Sequence, residues 1–211
     1  FYMTKINLIK KYYEKNLYKF KVGPKAVNWS NTKSQKIRFE KLCEIGDLNN
    51  AKILDVGSGL SHFYDYITDK RIKCRYTGID ISADMISFSK KRLKKKRVDL
   101  YCADILSLEN KLIKKLKSEY VLSSGLFSVK HTIASDEWWV FIQKMITNMY
   151  NLSSKGIGFN LMRPNVDYKD KHLHYQSIDI LLKFLQKKIS NKVVIKCDYP
   201  LWEYTCFVYK K

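Results

Sequence analysis

Three aspartates recur along this chain, each inside or just beyond an apolar run. Asp55 lies in Ile53-Leu54-Asp55-Val56-Gly57-Ser58-Gly59-Leu60-Ser61, Asp80 in Tyr76-Thr77-Gly78-Ile79-Asp80-Ile81-Ser82, and Asp104 in Tyr101-Cys102-Ala103-Asp104-Ile105. The first is followed by two glycines one residue apart. Gly57 and Gly59 let the backbone bend sharply and would let a ligand rest on main-chain N–H groups. An apolar run that breaks into glycines and then into a helical pattern reads as a buried strand, a tight turn and a helix start. That is the opening unit of a nucleotide-type site.

The ligand is narrowed by charge and by a missing glycine. A dinucleotide site in the G-x-G-x-x-G pattern needs a third glycine where this chain has His62. A carboxylate at Asp55 repels phosphate and attracts an ammonium. S-adenosylmethionine carries an ammonium and a sulfonium but no phosphate, and suits the loop better than NAD. Asp80 falls 23 residues past Gly57, one strand-helix-strand unit on, where a carboxylate can accept both ribose hydroxyls. Ile81 can pack on adenine, and Ser82 reads as the N-cap of the next helix. Asp104 can accept from the adenine amine, with Ile105 over the other ring face, or can simply cap a turn. Ser58, Met85 and Ser124 complete the expected cofactor surface. In Ser123-Ser124-Gly125-Leu126-Phe127, Gly125 and Phe127 are expected to border the reacting group.

These motifs need a frame, and the hydrophobic pattern supplies it. Helices are expected at 4–20 and 32–45, with a loop at 22–31. Strands at 52–56, 75–80, 97–102, 119–124 and 156–162 alternate with helices at 60–70, 83–95, 109–117, 137–151 and 177–188. Such alternation means a parallel sheet covered by helices on both faces. Strands at 192–199 and 203–210, separated by Pro200, Leu201 and Trp202, form an antiparallel hairpin. The expected fold is therefore α/β, doubly wound, with seven mostly parallel strands and an N-terminal helical lid. The boundaries are 1–49 for the lid and 50–211 for the Rossmann-like domain.

The four loop segments, in this order and spacing, resemble the class I S-adenosylmethionine-dependent methyltransferases over roughly residues 50–210. The resemblance implies that Gly57 and Gly59, with Asp55, hold the methionine moiety, Asp80 the ribose and Asp104 the adenine. Ser61 departs from it, standing where many members have a further glycine.

Outside those segments the signals are looser. Gln35, Arg38 and Leu42 share one stripe of the second helix, with Phe39 beside them. A glutamine and an arginine on a buried stripe imply a task, since unpaired polar groups there are costly. Arg38 is expected to meet the cofactor carboxylate or a nearby acid. Trp29, Phe127, Arg163 and Tyr175 are expected on the substrate side. His172 and His174 are candidate general bases, and His62 and His131 can also reach the pocket. His-x-His alone is a poor metal signal, so no metal is expected.

Methyl transfer from a sulfonium is an in-line displacement that mainly needs alignment. The fourth strand lacks the N/D-P-P-Y/F signature of enzymes acting on base amino groups, and no Pro-Cys supports a covalent cysteine route. The expected acceptor is thus an oxygen or nitrogen of a small molecule or sugar. Alternatives are an RNA methyltransferase or a non-catalytic cofactor-binding protein.

The net charge of +20 invites a nucleic-acid partner, but only six of the 40 basic residues are arginine. Base readout favours arginine, and the lysine-rich balance equally fits an A/T-rich genome, so nucleic acid is possible but not favoured. Five scattered cysteines without a C-x-x-C pair fit reduced thiols in a cytoplasmic protein. No apolar run spans a membrane, and Lys5, Lys10 and Lys11 precede no signal-peptide core.

Overall fold

A computed structural model describes residues 2–21, 23–27 and 31–211. Trp29, an expected substrate residue, lies outside them. The elements run α1 (Tyr2–Phe20), α2 (Thr32–Cys43), β1 (Lys52–Val56), α3 (His62–Asp69), β2 (Arg75–Asp80), α4 (Ala83–Arg92), β3 (Val98–Cys102), α5 (Asn110–Leu116), β4 (Ser118–Ser123), α6 (Ser135–Leu152), β5 (Ser153–Met162), α7 (Ile178–Lys188), β6 (Val193–Lys196) and β7 (Glu203–Tyr209).

The strand order is β3-β2-β1-β4-β5-β7-β6. The first five pair in parallel, and β7 runs antiparallel to both β5 and β6. The chain thus winds outward from β1 to β3, then crosses back to β4. The carboxyl ends of β1 and β4 point into the crevice this reversal opens, where open α/β sheets bind ligands. The closing strands enclose a longer turn than expected, because β6 ends at Lys196.

Alternation along the strands divides the core in two. Leu54, Val121, Ile157 and Phe159 face α6 and α7, whose Trp138, Ile142, Ile146, Leu181 and Leu185 are buried against them. Ile53, Leu122 and Phe207 point the other way, onto Phe39 of α2, Phe63 and Ile67 of α3 and Ile86 of α4. Strands buried on both faces read as continuous apolar runs, which is why Ile53-Leu54 carries no polar alternation. Two helix starts carry side-chain caps: Asn31 accepts from the Ser34 N–H at 2.8 Å, and Ser82 from the Met85 N–H at 3.3 Å.

Helix α1 packs across the carboxyl edge. Its Leu17 is buried with Ala26, Leu60 and Met85. The Tyr18 hydroxyl donates to Asp84 at 3.0 Å, and the Ser82 hydroxyl donates to Glu14 at 2.8 Å. The helix is therefore held against α4 beside the tip of β2.

Candidate functional site

The tips of β1, β2 and β4 open into one cleft lined mostly by apolar and aromatic side chains with a few polar groups among them, the usual make-up of a small-molecule site. Asp55, Gly57, Ser58, Gly59, Asp80, Ile81, Met85 and Ser124 all line it, as expected from their positions in the loops. Asp104 and Ile105 line an adjoining hollow with Ile81, Ala103 and Met145. The two spaces share Gly57, Asp80, Ile81 and Leu126, so they form one continuous surface.

The glycine loop works differently from a phosphate cradle. The Gly57 and Ser58 N–H groups both donate to the Ile79 carbonyl, at 2.9 and 3.1 Å. The Gly59 N–H donates to Asp80 Oδ2 at 2.8 Å. These three donors are spent inside the protein, so the expectation of a ligand seated on them is corrected. What the glycines supply is room. Gly57 and Gly59 have φ of +70° and +50°. A Cβ on Gly57 would meet Leu126 at 3.0 Å, and one on Gly59 would meet Val27 at 3.1 Å. Ser61, in the place of a further glycine, enters α3 in the left-handed region at φ 58° and is buried.

Charge completes the test for a ligand. Among the described lining residues the side chains that can carry charge near neutral pH are Asp55, Asp80, His62 and Lys10, and Tyr13 is held neutral by burial. The Ser58, Ser124 and Ser128 hydroxyls are buried without a partner and belong to the same wall. Two carboxylates and unpartnered hydroxyls suit a polar, cationic ligand and disfavour a pyrophosphate. The residues therefore fit a nucleoside bearing an ammonium.

Asp55 is buried, and the Tyr76 hydroxyl donates to it at 2.6 Å. Burial pushes its carboxyl up from 3.8 to about 7, against the stabilising Tyr76 bond, and the nearby Asp80 adds to the rise. Asp80 is raised as well, by burial first, with the Ser82 and Gly59 N–H groups opposing the shift. A raised carboxyl keeps its proton in the native state, so Asp55 by itself lowers the stability of the ligand-free protein as pH rises from about 4 through 7. Binding an ammonium beside Asp55 needs the ionised form and releases that proton. The affinity for S-adenosylhomocysteine is accordingly expected to rise about tenfold between pH 6 and pH 8 and then level off. Calorimetry across that range checks this, with adenosine, which lacks the ammonium, as the flat control.

Asp104 caps the short turn that follows β3, accepting from the Leu106 N–H through Oδ1 at 2.9 Å. The capping role and a place beside the ligand hollow thus coexist in this residue.

Several expected site residues sit elsewhere. Arg38 does not reach the cleft. Its guanidinium grips Glu203, with Nε 2.9 and 2.8 Å from the two carboxylate oxygens, and donates to the Ser34 carbonyl at 2.9 Å. Phe127 is 1% exposed and stacks edge-on against Phe159, so it belongs to the core. His174 is buried, holds Gln176 Oε1 at 3.0 Å and has its imidazole lowered by burial. His172 lies toward the surface, 2.5 Å from Asp170 Oδ1. Neither histidine lines the cleft, which corrects their expected role as bases. Arg163 stacks on Trp202 at 4.6 Å, and the Tyr175 hydroxyl accepts from the Asp170 N–H at 2.9 Å. Arg163 is held by the turn between β6 and β7 and Tyr175 by its own loop, and both stand outside the cleft lining.

Other residues take those places. Of the four histidines, His62 lines the cleft, its Nδ1 3.2 Å from Gln35 Nε2. Phe39, Phe63, Trp138 and Phe141 make the apolar walls, and Ile6, Ile9 and Tyr13 of α1 close the top. Ile9 and Tyr13 stand four residues apart and so share one face of α1, but no sequence motif distinguishes a helix face over a ligand from one over the core. Among the described residues no cluster of three or more histidine, cysteine or acidic side chains could hold a metal. None of the helices, within those residues, is long and apolar enough to cross a membrane.

The family model described as "Methyltransferase domain" matches residues 47–196. The chain belongs to the methyltransferase domain family. Family membership and the seven-stranded sheet together put it in class I, whose methyl donor is S-adenosylmethionine. This methyltransferase-family chain is 27% identical over 161 residues to the Mycobacterium tuberculosis (strain ATCC 25618 / H37Rv) protein named "Putative methyltransferase Rv1506c", covering 75% of this chain and 92% of that one. Among solved structures, magnesium protoporphyrin IX methyltransferase from Synechocystis PCC 6803 with bound SAM matches with a TM-score of 0.59 at 13% identity, over 85% of this chain and 79% of that one. Human N-acetylserotonin methyltransferase in complex with SAM gives 0.59 at 12% identity, over 82% and 52%. At those identities the structural likeness shows the shared fold alone.

Proposed function

We propose that this methyltransferase moves a methyl group from S-adenosylmethionine to an oxygen or nitrogen of a small molecule with an apolar body. The observation that carries the reading is the pairing of Asp55 and Asp80 on one aromatic-walled cleft whose glycine-loop amides are already occupied. Two structural neighbours are named as methyltransferases of small molecules, magnesium protoporphyrin IX and N-acetylserotonin, which supports the same acceptor class here.

In this reading Asp80 holds the ribose hydroxyls, and Ile81, Asp104 and Ile105 hold the adenine. Asp55, with Gly57, Ser58 and Gly59, receives the amino-acid tail, while Met85 and Ser124 pack beside it. When bound, the donor supplies an activated methyl on a good leaving group. The protein's contribution is alignment and exclusion of water. Phe39, Phe63, Trp138 and Phe141 give the acceptor an apolar seat, and α1 and α2 of the N-terminal segment cover it, with α1 as the lid. His62, fixed by Gln35, is the polar group that meets the acceptor. The Gln35 amide braces the His62 ring from α2 through Nδ1, on the wall where the acceptor would sit.

Calorimetry with S-adenosylhomocysteine tests donor binding, and transfer of labelled methyl to a panel of apolar alcohols, phenols and amines tests the reaction. Micromolar binding with labelled product supports the reading; no binding sinks it. With the best acceptor of that panel, His62→Ala is expected to lower kcat/KM about tenfold to a hundredfold, the scale of one or two lost hydrogen bonds. The Kd for S-adenosylhomocysteine should change less than about threefold. A larger change would move His62 to the donor side.

A further inference from the structure

A buried polar chain runs behind the cleft and has no place in the reaction as described so far. It begins at the loop after β4, where the Gly125 N–H donates to Asn160 Oδ1 at 2.8 Å. Asn160, on β5, is 1% exposed. Its amide then donates to Glu203 Oε2, on β7. Glu203, 3% exposed, receives the Arg38 guanidinium from α2. Every link is side chain to side chain except the first, which ends on a backbone amide of the cleft wall.

Each end of this chain touches a wall of the site. Ser124, Gly125 and Leu126 line the cleft on one side. On the other, Gln35 and Phe39 line it from α2, three residues before and one after Arg38. The ends join parts of the protein far apart in sequence, with Arg38 and Glu203 165 residues apart and Gly125 and Asn160 35 apart. A buried ion pair is weak evidence for stability, because well-packed apolar residues serve as well. Its value lies in fixing one geometry, and a fully satisfied network does so rigidly.

We infer that Asn160, Glu203 and Arg38 are positioning residues, which set the Gly125 loop against the α2 wall and so hold the site at the width its ligands need. None of the three touches the ligand. Asn160 can satisfy Gly125 only while its own amide is held by Glu203, and Glu203 is held in turn by the two-point grip of Arg38. The inference rests on the methyltransferase reading for what the loop binds, but the restraint on Gly125 stands apart from it.

Two double variants separate positioning from stability. R38M/E203Q and R38M/E203L both remove the ion pair, but only the first keeps an oxygen for the Asn160 amide. Two readouts are taken on each: hydrogen exchange at the Gly125 amide by nuclear magnetic resonance, and the Kd for S-adenosylhomocysteine. Gly125 exchange is expected to be at least about thirtyfold faster in R38M/E203L than in R38M/E203Q, with S-adenosylhomocysteine bound about tenfold more weakly. Equal exchange in the two variants overturns the proposal. So does faster exchange with unchanged affinity, which would leave the network purely structural.

If R38M/E203L does not fold, Asn160→Ala removes the Gly125 acceptor while leaving the ion pair. The same two changes, measured against the parent protein, then decide. A parent protein that fails to bind S-adenosylhomocysteine would sink the functional reading, and Gly125 exchange would still judge the network.

Discussion

Replacing Asp80 by alanine is expected to weaken binding of S-adenosylhomocysteine by about 1.5–3 kcal/mol, roughly tenfold to over a hundredfold. That is the scale of a hydrogen bond to a charged acceptor, and Asp80 makes its contribution twice over. Oδ2 takes the Gly59 N–H at 2.8 Å, and Oδ1 takes the Ser82 N–H at 2.9 Å. The carboxylate thus shapes the glycine loop and the start of α4, and its remaining lone pairs face the cleft. Asp80→Asn separates these roles. An asparagine keeps one oxygen for Ser82 but brings an N–H toward Gly59, so it should lose affinity while leaving α4 capped. Calorimetry gives the affinities, and thermal unfolding of the ligand-free variants shows how much of the loss is structural. Unchanged affinity in the alanine variant would remove Asp80 from the ribose role.

Gly57→Val is expected to reduce binding still further, by more than about a hundredfold, through two independent effects. A β-branched residue at φ +70° is strained, at about 1–3 kcal/mol. Its Cβ would also stand 3.0 Å from Leu126, and the added methyls would occupy the cleft. Leu126 can swing aside, so the variant should still fold, as circular dichroism would report, while its calorimetric trace is flat. Gly57→Ala, with the strain but less bulk, should fall between. Detectable binding by the valine variant at near-parental affinity would mean the ligand lies elsewhere.

Much of the site was legible because its determinants are local. A strand tip, a glycine and an acid fall within a few residues of one another, and the fold stacks such tips along one edge. Asp55, Asp80 and Asp104 therefore came out next to the same continuous hollow from spacing alone. The strand and helix positions followed from periodicity, with ends displaced by a few residues where capping rather than hydrophobicity decides them.

What stayed hidden depends on distant partners. Arg38 was recognisable as a buried cation with a task, yet nothing in its neighbourhood points to Glu203. Phe127 sits one residue beyond Leu126, and its side chain turns into the core while Leu126 meets the cleft. His172 and His174 share a loop at the correct edge of the sheet, but Asp170 and Gln176 hold them away from the cavity. The histidine that does line it, His62, begins α3, and only the approach of Gln35 from α2 shows which way its ring is braced. The lysine-rich end of α4 is likewise partly internal in purpose, since Arg92 pairs with Asp65 at 2.7 Å and donates to the Leu60 carbonyl.

The contacts of α1 carry an implication for timing. Glu14 meets Ser82, and Tyr18 meets Asp84, directly over the groove that begins at Asp80. In the function proposed above α1 is the lid, and each exchange of spent donor for fresh then waits until those two clasps let go. Tyr18 is exposed and its bond to Asp84 is open to water, whereas Ser82 is buried, so its bond to Glu14 is the slower of the two to give way. Turnover in such an arrangement is paced by the opening of a door, and a variant that loosens the clasps would run faster even as it held its donor less tightly.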